Sequence, residues 1–221
     1  MPATPIYIIC SPCPRVGKTL LARLLSEYLL LNNGAVIAFD INLREPSLID
    51  YLPDITETAE IDDTFGKMRM MDRIIVDDGT AKVIDLGFHA FDEFFKMSEE
   101  IGFLKEAERR NAPIILFAAS TDRLSARGHE MLMRQIPPSR LVVVDNEYLV
   151  RGELPDAFAT GKVLQIRALP SFLRTYIDRL SFSFTGYLRY ERDSSTELHQ
   201  WIRRCYFRFR ELELSLILQS S

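Results

Sequence analysis

The chain is expected to fold as a doubly wound α/β structure on a mostly parallel sheet, with a helical carboxyl-terminal extension. Short apolar runs alternate with helical stretches of about ten or more residues, the pattern of repeated βαβ units. The runs PIILFA (Pro113–Ala118) and LVVVD (Leu141–Asp145) are β-branched and almost uninterrupted, as in strands buried on both faces. With 221 residues, 47% of them hydrophobic, the chain is long enough to bury a full core.

The elements follow in order. Ile6 to Cys10 is a short apolar strand, and Lys18 to Leu31 carries apolar residues at helical spacing. Asn32-Asn33-Gly34 then supplies carboxyl-cap chemistry. Val36 to Asp40 is a second strand; residues 44–66 are polar, with Pro46 and Pro53, and are expected to hold short helices and loops. Arg73–Val76 and Lys82–Leu86 read as two further strands, divided by the turn signal Asp77-Asp78-Gly79. Phe91 to Arg110 reads as one helix whose apolar side is Phe91, Phe94, Phe95, Ile101, Phe103 and Leu104. A helix over Ser125–Gln135 separates the two long apolar strands, and Val163–Ile166 is the last core strand. Residues 1–171 therefore form an α/β unit. Residues 172–192 are rich in aromatics and arginine, and 194–218 read as one amphipathic helix, so 172–221 are taken as the extension.

Composition narrows the function. A net charge of −4 and a pI near 5.5 give no global attraction to nucleic acid, so DNA binding has no support from net charge. No run reaches the ~18 apolar residues of a membrane span, so no transmembrane segment is expected. The amino-terminal stretch lacks a basic segment followed by a long apolar one, so no secretory signal is expected. Cys10, Cys13 and Cys205 are too scattered for a disulfide framework, which points to a reduced, cytoplasmic setting.

The chemistry concentrates in PCPRVGKT, Pro12–Thr19, between the first strand and the first helix. A phosphate loop needs a tight turn with inward N–H groups and a helix whose positive end faces the phosphates. Gly17 lets the backbone approach a phosphate, Lys18 can reach the β- and γ-phosphates, and the Thr19 hydroxyl can hold Mg²⁺. The candidate nucleotide-binding set is thus Pro14, Arg15, Val16, Gly17, Lys18, Thr19 and Leu20. The pattern G-x-x-x-x-G-K-[ST] is met except at its first position, where Pro12 stands.

PCPRVGKTLLAR followed by AFDINLREPSL resembles the ParA/MinD-type ATPases, the deviant Walker A group of P-loop proteins, over about residues 5–170. That resemblance implies ATP with Mg²⁺ as cofactors, a homodimer closed around two nucleotides, and a protein partner controlled by the nucleotide state. It also implies a role in partitioning, positioning or DNA transfer. Two departures matter. The signature lysine of that loop corresponds to Cys13, and Arg15 occupies a glycine position. In the switch segment Asp40 falls on the first aspartate and Asn42 on the second, water-positioning one; sliding the match by two residues gives Asp40 that role. Lys18, Asp40 and Asn42 are the candidate catalytic residues, and slow hydrolysis or none is expected.

KVIDLG (Lys82–Gly87) resembles a Walker B strand, making Asp85 the second Mg²⁺ candidate beside Thr19; Asp77 or Asp78 is the alternative. Asn146, after the strand LVVVD, corresponds to an adenine-contacting asparagine or is a turn residue. The absence of an N-K-x-D motif favours adenine over guanine. A non-catalytic nucleotide binder and a small-molecule kinase are the alternative functions. The C-x-x-C of Cys10 and Cys13 is already accounted for by the loop, and zinc lacks a second close pair of ligands. In the last helix Leu198, Trp201, Ile202, Cys205, Phe209, Leu212 and Leu216 share a stripe that packs on the core, on a partner or on a membrane surface.

Overall fold

The computed structural model describes residues 4–41, 48–58, 64–110, 113–147, 154–158 and 161–219. Among these, seven strands form one sheet: β1 (Ile6–Cys10), β2 (Val36–Ile41), β3 (Thr56–Thr58), β4 (Ala81–Leu86), β5 (Pro113–Ala118), β6 (Leu141–Asn146) and β7 (Lys162–Ile166). Their spatial order is β3-β2-β4-β1-β5-β6-β7, and every pairing is parallel. The central β1 is where the chain first builds to one side and later, through β5, to the other. Ligands of such sheets sit at that crossing, beyond the carboxyl ends of the strands.

Alternate residues of β1 feed two cores. Tyr7 and Ile9 pack with helix α1 (Lys18–Asn33), while Ile6, Ile8 and Cys10 face the other layer. That second layer contains α3 (Thr64–Ile75), α4 (Phe91–Glu100), α5 (Phe103–Arg110) and α6 (Arg123–Gln135). All five residues of β1 are buried, which explains why an alternating polar pattern is missing from the central strands.

Three expectations are corrected. Arg73–Val76 is no strand: Arg73 to Ile75 end α3, whose Met70, Met71 and Ile74 bury one helical face. A four-residue apolar run does not by itself distinguish strand from helix end. The helix over Phe91–Arg110 is two helices, because Gly102 adopts φ 67 and stops α4; Ile101, expected in the core, is half exposed. Between α2 (Leu48–Tyr51) and α3, the polar stretch contains the short edge strand β3, paired to β2 from Ala38–Thr56 to Asp40–Thr58.

The chain ends in α7 (Ser171–Ile177), α8 (Phe184–Tyr190) and α9 (Glu197–Gln219). The whole stripe of α9 named above is buried and joins the α1 core. No helix among the described residues is long and apolar enough to cross a membrane. Two acids fasten this layer to α1. Glu213 accepts a hydrogen bond from the Tyr28 hydroxyl at 2.7 Å; burial first, and then this bond, push that phenol's pKa up. Glu27 accepts from the Ser183 hydroxyl at 2.6 Å, from Thr185 N at 2.8 Å and from Phe184 N at 3.1 Å. A buried carboxylate with three donors at a helix start is a strong anchor, since donor and helix dipole favour the same charge. Glu27→Ala should lower unfolding free energy by about 3 kcal/mol, measurable in urea, because three donors lose their acceptor.

Candidate functional site

The site is built at the carboxyl edge of β1, β2 and β4. Parallel register sets Ile9 beside Asp85 and Asp40 beside Asp85, so both acids stand on neighbouring strands at one level, on the α1 side of the sheet. Residues 11–17 then turn back into α1. Gly17 takes φ 85, a left-handed conformation that a side chain resists, and its carbonyl starts the helix by accepting from Leu21 N at 3.0 Å. Arg15 is also left-handed, at φ 58, where an arginine costs about 1 kcal/mol over glycine. Its side chain is exposed. Pro14 has no N–H, so the donor cradle expected from residue 14 begins one residue later, at Arg15.

Several contacts hold the loop in shape. Cys13 N donates to the Ser11 hydroxyl at 3.3 Å, and Asn146 Nδ2 donates to the Val16 carbonyl at 3.1 Å. Asn146 is buried at the end of β6, with its amide turned to the loop backbone. Cys13, Val16 and Ala118 form a small apolar cluster, and the Ser120 hydroxyl lies 3.6 Å from Cys13 Sγ. Pro12 leans on α6 at Gly128: a Cβ there would stand 2.8 Å from Pro12 Cγ and 3.3 Å from Phe91 Cζ. The proline at the first loop position is thus accommodated by a missing side chain in a different helix.

The polar groups converge at the start of α1. The Thr19 hydroxyl donates to Asp85 Oδ2 at 2.7 Å. Lys18 is buried, its ammonium donates to the Cys13 carbonyl at 3.0 Å, and the half-buried Phe88 ring lies 5.8 Å from it. Burial depresses the Lys18 pKa and the charge of Asp85 works against that. Asp85 is pushed up from 3.8 to about 6, first by burial and then by the neighbouring Asp40; the Thr19 hydrogen bond and Lys18 act in the opposite sense. Asp40 Oδ2 accepts from Leu48 N at 2.7 Å and Ile49 N at 3.3 Å, so this carboxylate caps α2. Leu20, half-buried, follows in the first turn of α1. Asn42 lies outside the described residues.

Asp77 and Asp78 are at the opposite end of β4, where Asp77 accepts from Thr4 and Asp78 pairs with the buried Lys82. Neither can share a site with Thr19. Phe88, Ser120 and Gly128 were not singled out by the sequence; the signal for the first two was their position just past strands flanking β1. Among the described residues no cluster of three or more His, Cys, Asp or Glu side chains can hold a metal. Thr19 and Asp85 offer a hydroxyl and a carboxylate oxygen side by side, the ligand chemistry that Mg²⁺ takes.

No protein-family model matches this chain, and no curated protein matches it in sequence. Solved structures do. A protein of Borrelia burgdorferi B31 described as a plasmid partition protein, solved with AMPPNP, superposes with a TM-score of 0.50 at 14% identity, covering 96% of this chain and 98% of that one. The fold is ParA/MinD-like. The MinD cell division protein of Aquifex aeolicus matches at a TM-score of 0.48 and 15% identity over 94% of this chain and 97% of that one. The MinC:MinD complex of the same organism matches at 0.48 and 14% over 94% and 96%.

Two outcomes test this geometry. Gly128→Ala, which in an ordinary helix interior stabilises by roughly 1 kcal/mol, should here destabilise by about 1–2 kcal/mol, because the new Cβ meets the Pro12 ring. Asp85 has a folded pKa above its unfolded one, so its charge opposes folding above pH 6 and ceases to matter below about pH 4. Asp85→Asn should therefore stabilise the ligand-free protein at pH 7 by on the order of 2 kcal/mol, with the gain vanishing in denaturation curves near pH 4.

Proposed function

We propose that the chain is an ATP-binding switch protein that holds ATP with Mg²⁺ in the Pro12–Thr19 loop and hydrolyses it slowly. The observation that carries this reading is the 2.7 Å contact between Thr19 and Asp85 beside a buried Lys18, at the crossing point of an all-parallel sheet. Lys18 at present donates to a single carbonyl, and a phosphate is a stronger partner for an ammonium than a neutral oxygen. Backbone N–H groups of residues 15 to 20 and the amino end of α1 would bind the phosphates. Thr19 and Asp85 would hold Mg²⁺, which supplies charge neutralisation on the phosphates. Asp40 would orient water, and Asn146 would keep the loop in register while lying at the base-binding end of the sheet. The AMPPNP in the Borrelia protein supports an adenine nucleotide as ligand.

By likeness of fold, the nucleotide state would govern a homodimer or a protein partner in partitioning or positioning. A second reading, binding without turnover, is favoured by one observation: Asp40 Oδ2 is already engaged by the two leading N–H groups of α2. Cys13, where the related loops have a lysine, removes a cation from the transition state and so weakens hydrolysis more than binding.

Titration calorimetry with ATP, ADP and GTP, with and without Mg²⁺, tests the reading. ATP should bind, Mg²⁺ should strengthen it, and Lys18→Ala should weaken it by about 10- to 100-fold. Absence of binding by all three nucleotides would overturn it. Mg²⁺-dependent phosphate release lost in Lys18→Ala would exclude the non-catalytic reading, and its absence in the wild type would establish that reading.

A further inference from the structure

Arg23 is on α1, just over one turn beyond Lys18, and is 2% exposed. Its guanidinium Nη2 donates to the carbonyls of Ile177 at 3.0 Å and Phe182 at 3.3 Å, which lie on either side of the turn from α7 to α8. The same guanidinium lies 3.7 Å from the centroid of the Tyr51 ring and 5.0 Å from that of Phe184. Tyr51 belongs to α2, the short helix whose first N–H groups are capped by Asp40, and its hydroxyl is 3.4 Å from the Asp178 carbonyl. One turn further along α1, Glu27 holds the start of α8. Arg23 therefore takes the last carbonyl of α7 and the Phe182 carbonyl just before α8, and Glu27 takes the N–H groups that begin α8. Helices of seven residues are not stable by themselves, so their position follows this clamp.

The geometry points to a relay, resting on the nucleotide reading above, in which Asp40 reports the state of the phosphate site to α7 and α8 through α2, Tyr51 and Arg23. Asp40 holds the two leading N–H groups of α2 through a single oxygen, Oδ2, so a rotation of the carboxylate breaks both bonds together. While it caps α2, Tyr51 is stacked on Arg23 and the α7–α8 turn is held. A turn of Asp40 towards bound nucleotide would take the acceptor from the N–H groups of Leu48 and Ile49. The stack of Tyr51 on Arg23 then loosens, and with it the hold on Ile177 and Phe182. Nucleotide binding thus loosens the turn between α7 and α8, whose two carbonyls lie 154 and 159 residues from Arg23 in sequence.

Hydrogen exchange of the full-length protein, followed by mass spectrometry with and without AMPPNP and Mg²⁺, tests the relay, with calorimetry on the same samples to measure binding. In the wild type the amides of residues 171–190 should exchange about fivefold faster or more when nucleotide is bound. Tyr51→Leu should abolish that nucleotide-dependent change while still binding AMPPNP, and Tyr51→Phe, which keeps the ring on Arg23, should retain it. Binding without any change over 171–190, or an undiminished change in Tyr51→Leu, would overturn the relay and leave the nucleotide reading intact. No binding in the wild type would overturn both. Should Tyr51→Leu not fold, loss of the change in Arg23→Lys, which keeps the charge without the planar stack, supports the relay and its persistence overturns it.

Discussion

Parallel register puts Asp40 and Asp85 next to each other on β2 and β4, and both are almost wholly buried. Two carboxylates in that position repel, and burial penalises each charge. The surroundings answer that penalty with the Thr19 hydroxyl and Lys18 at Asp85 and the α2 N–H groups at Asp40. At Asp85 burial outweighs its partners, so its pKa is pushed up. A folded chain that keeps such a pair retains it at a cost to its own stability, and strongly perturbed buried acids of this kind cluster at functional sites.

The remainder of the architecture serves that edge. The strands must be parallel for the acids to align, and β1 must be central for the loop to reach them. Gly17 must be left-handed for α1 to begin where Thr19 meets Asp85. The carboxyl-terminal helices are joined by Arg23, Glu27 and Tyr28 to α1, the helix that also carries Lys18 and Thr19.

Much of this was legible in the sequence, and the exceptions have physical reasons. Long apolar strands and the loop between Cys10 and Lys18 announce themselves because burial on both faces and the Gly17-Lys18-Thr19 pattern leave strong local signals. The end of α3 reads as a strand because Arg73–Val76 is as apolar as one, and its helical partners Met70 and Met71 lie upstream of the run. The break at Gly102 hides in an otherwise helical pattern, and β3 is too short to show a period. Contacts between distant residues have no local signal at all. Pro12 against Gly128, Asn146 on Val16 and Asp40 on α2 are products of the topology. The choice of Asp85 over Asp77 and Asp78 likewise depended on which end of β4 faces the loop.

The central claim is that this edge is a phosphate and Mg²⁺ site, and a crystal structure grown with AMPPNP and Mg²⁺ tests it most directly. The account predicts that Lys18 Nζ leaves the Cys13 carbonyl for phosphate oxygens, with the ion between Thr19 and the Asp85 side of the site. A nucleotide bound elsewhere, or one bound while Lys18 stays on Cys13 and no ion lies near Thr19, would contradict it.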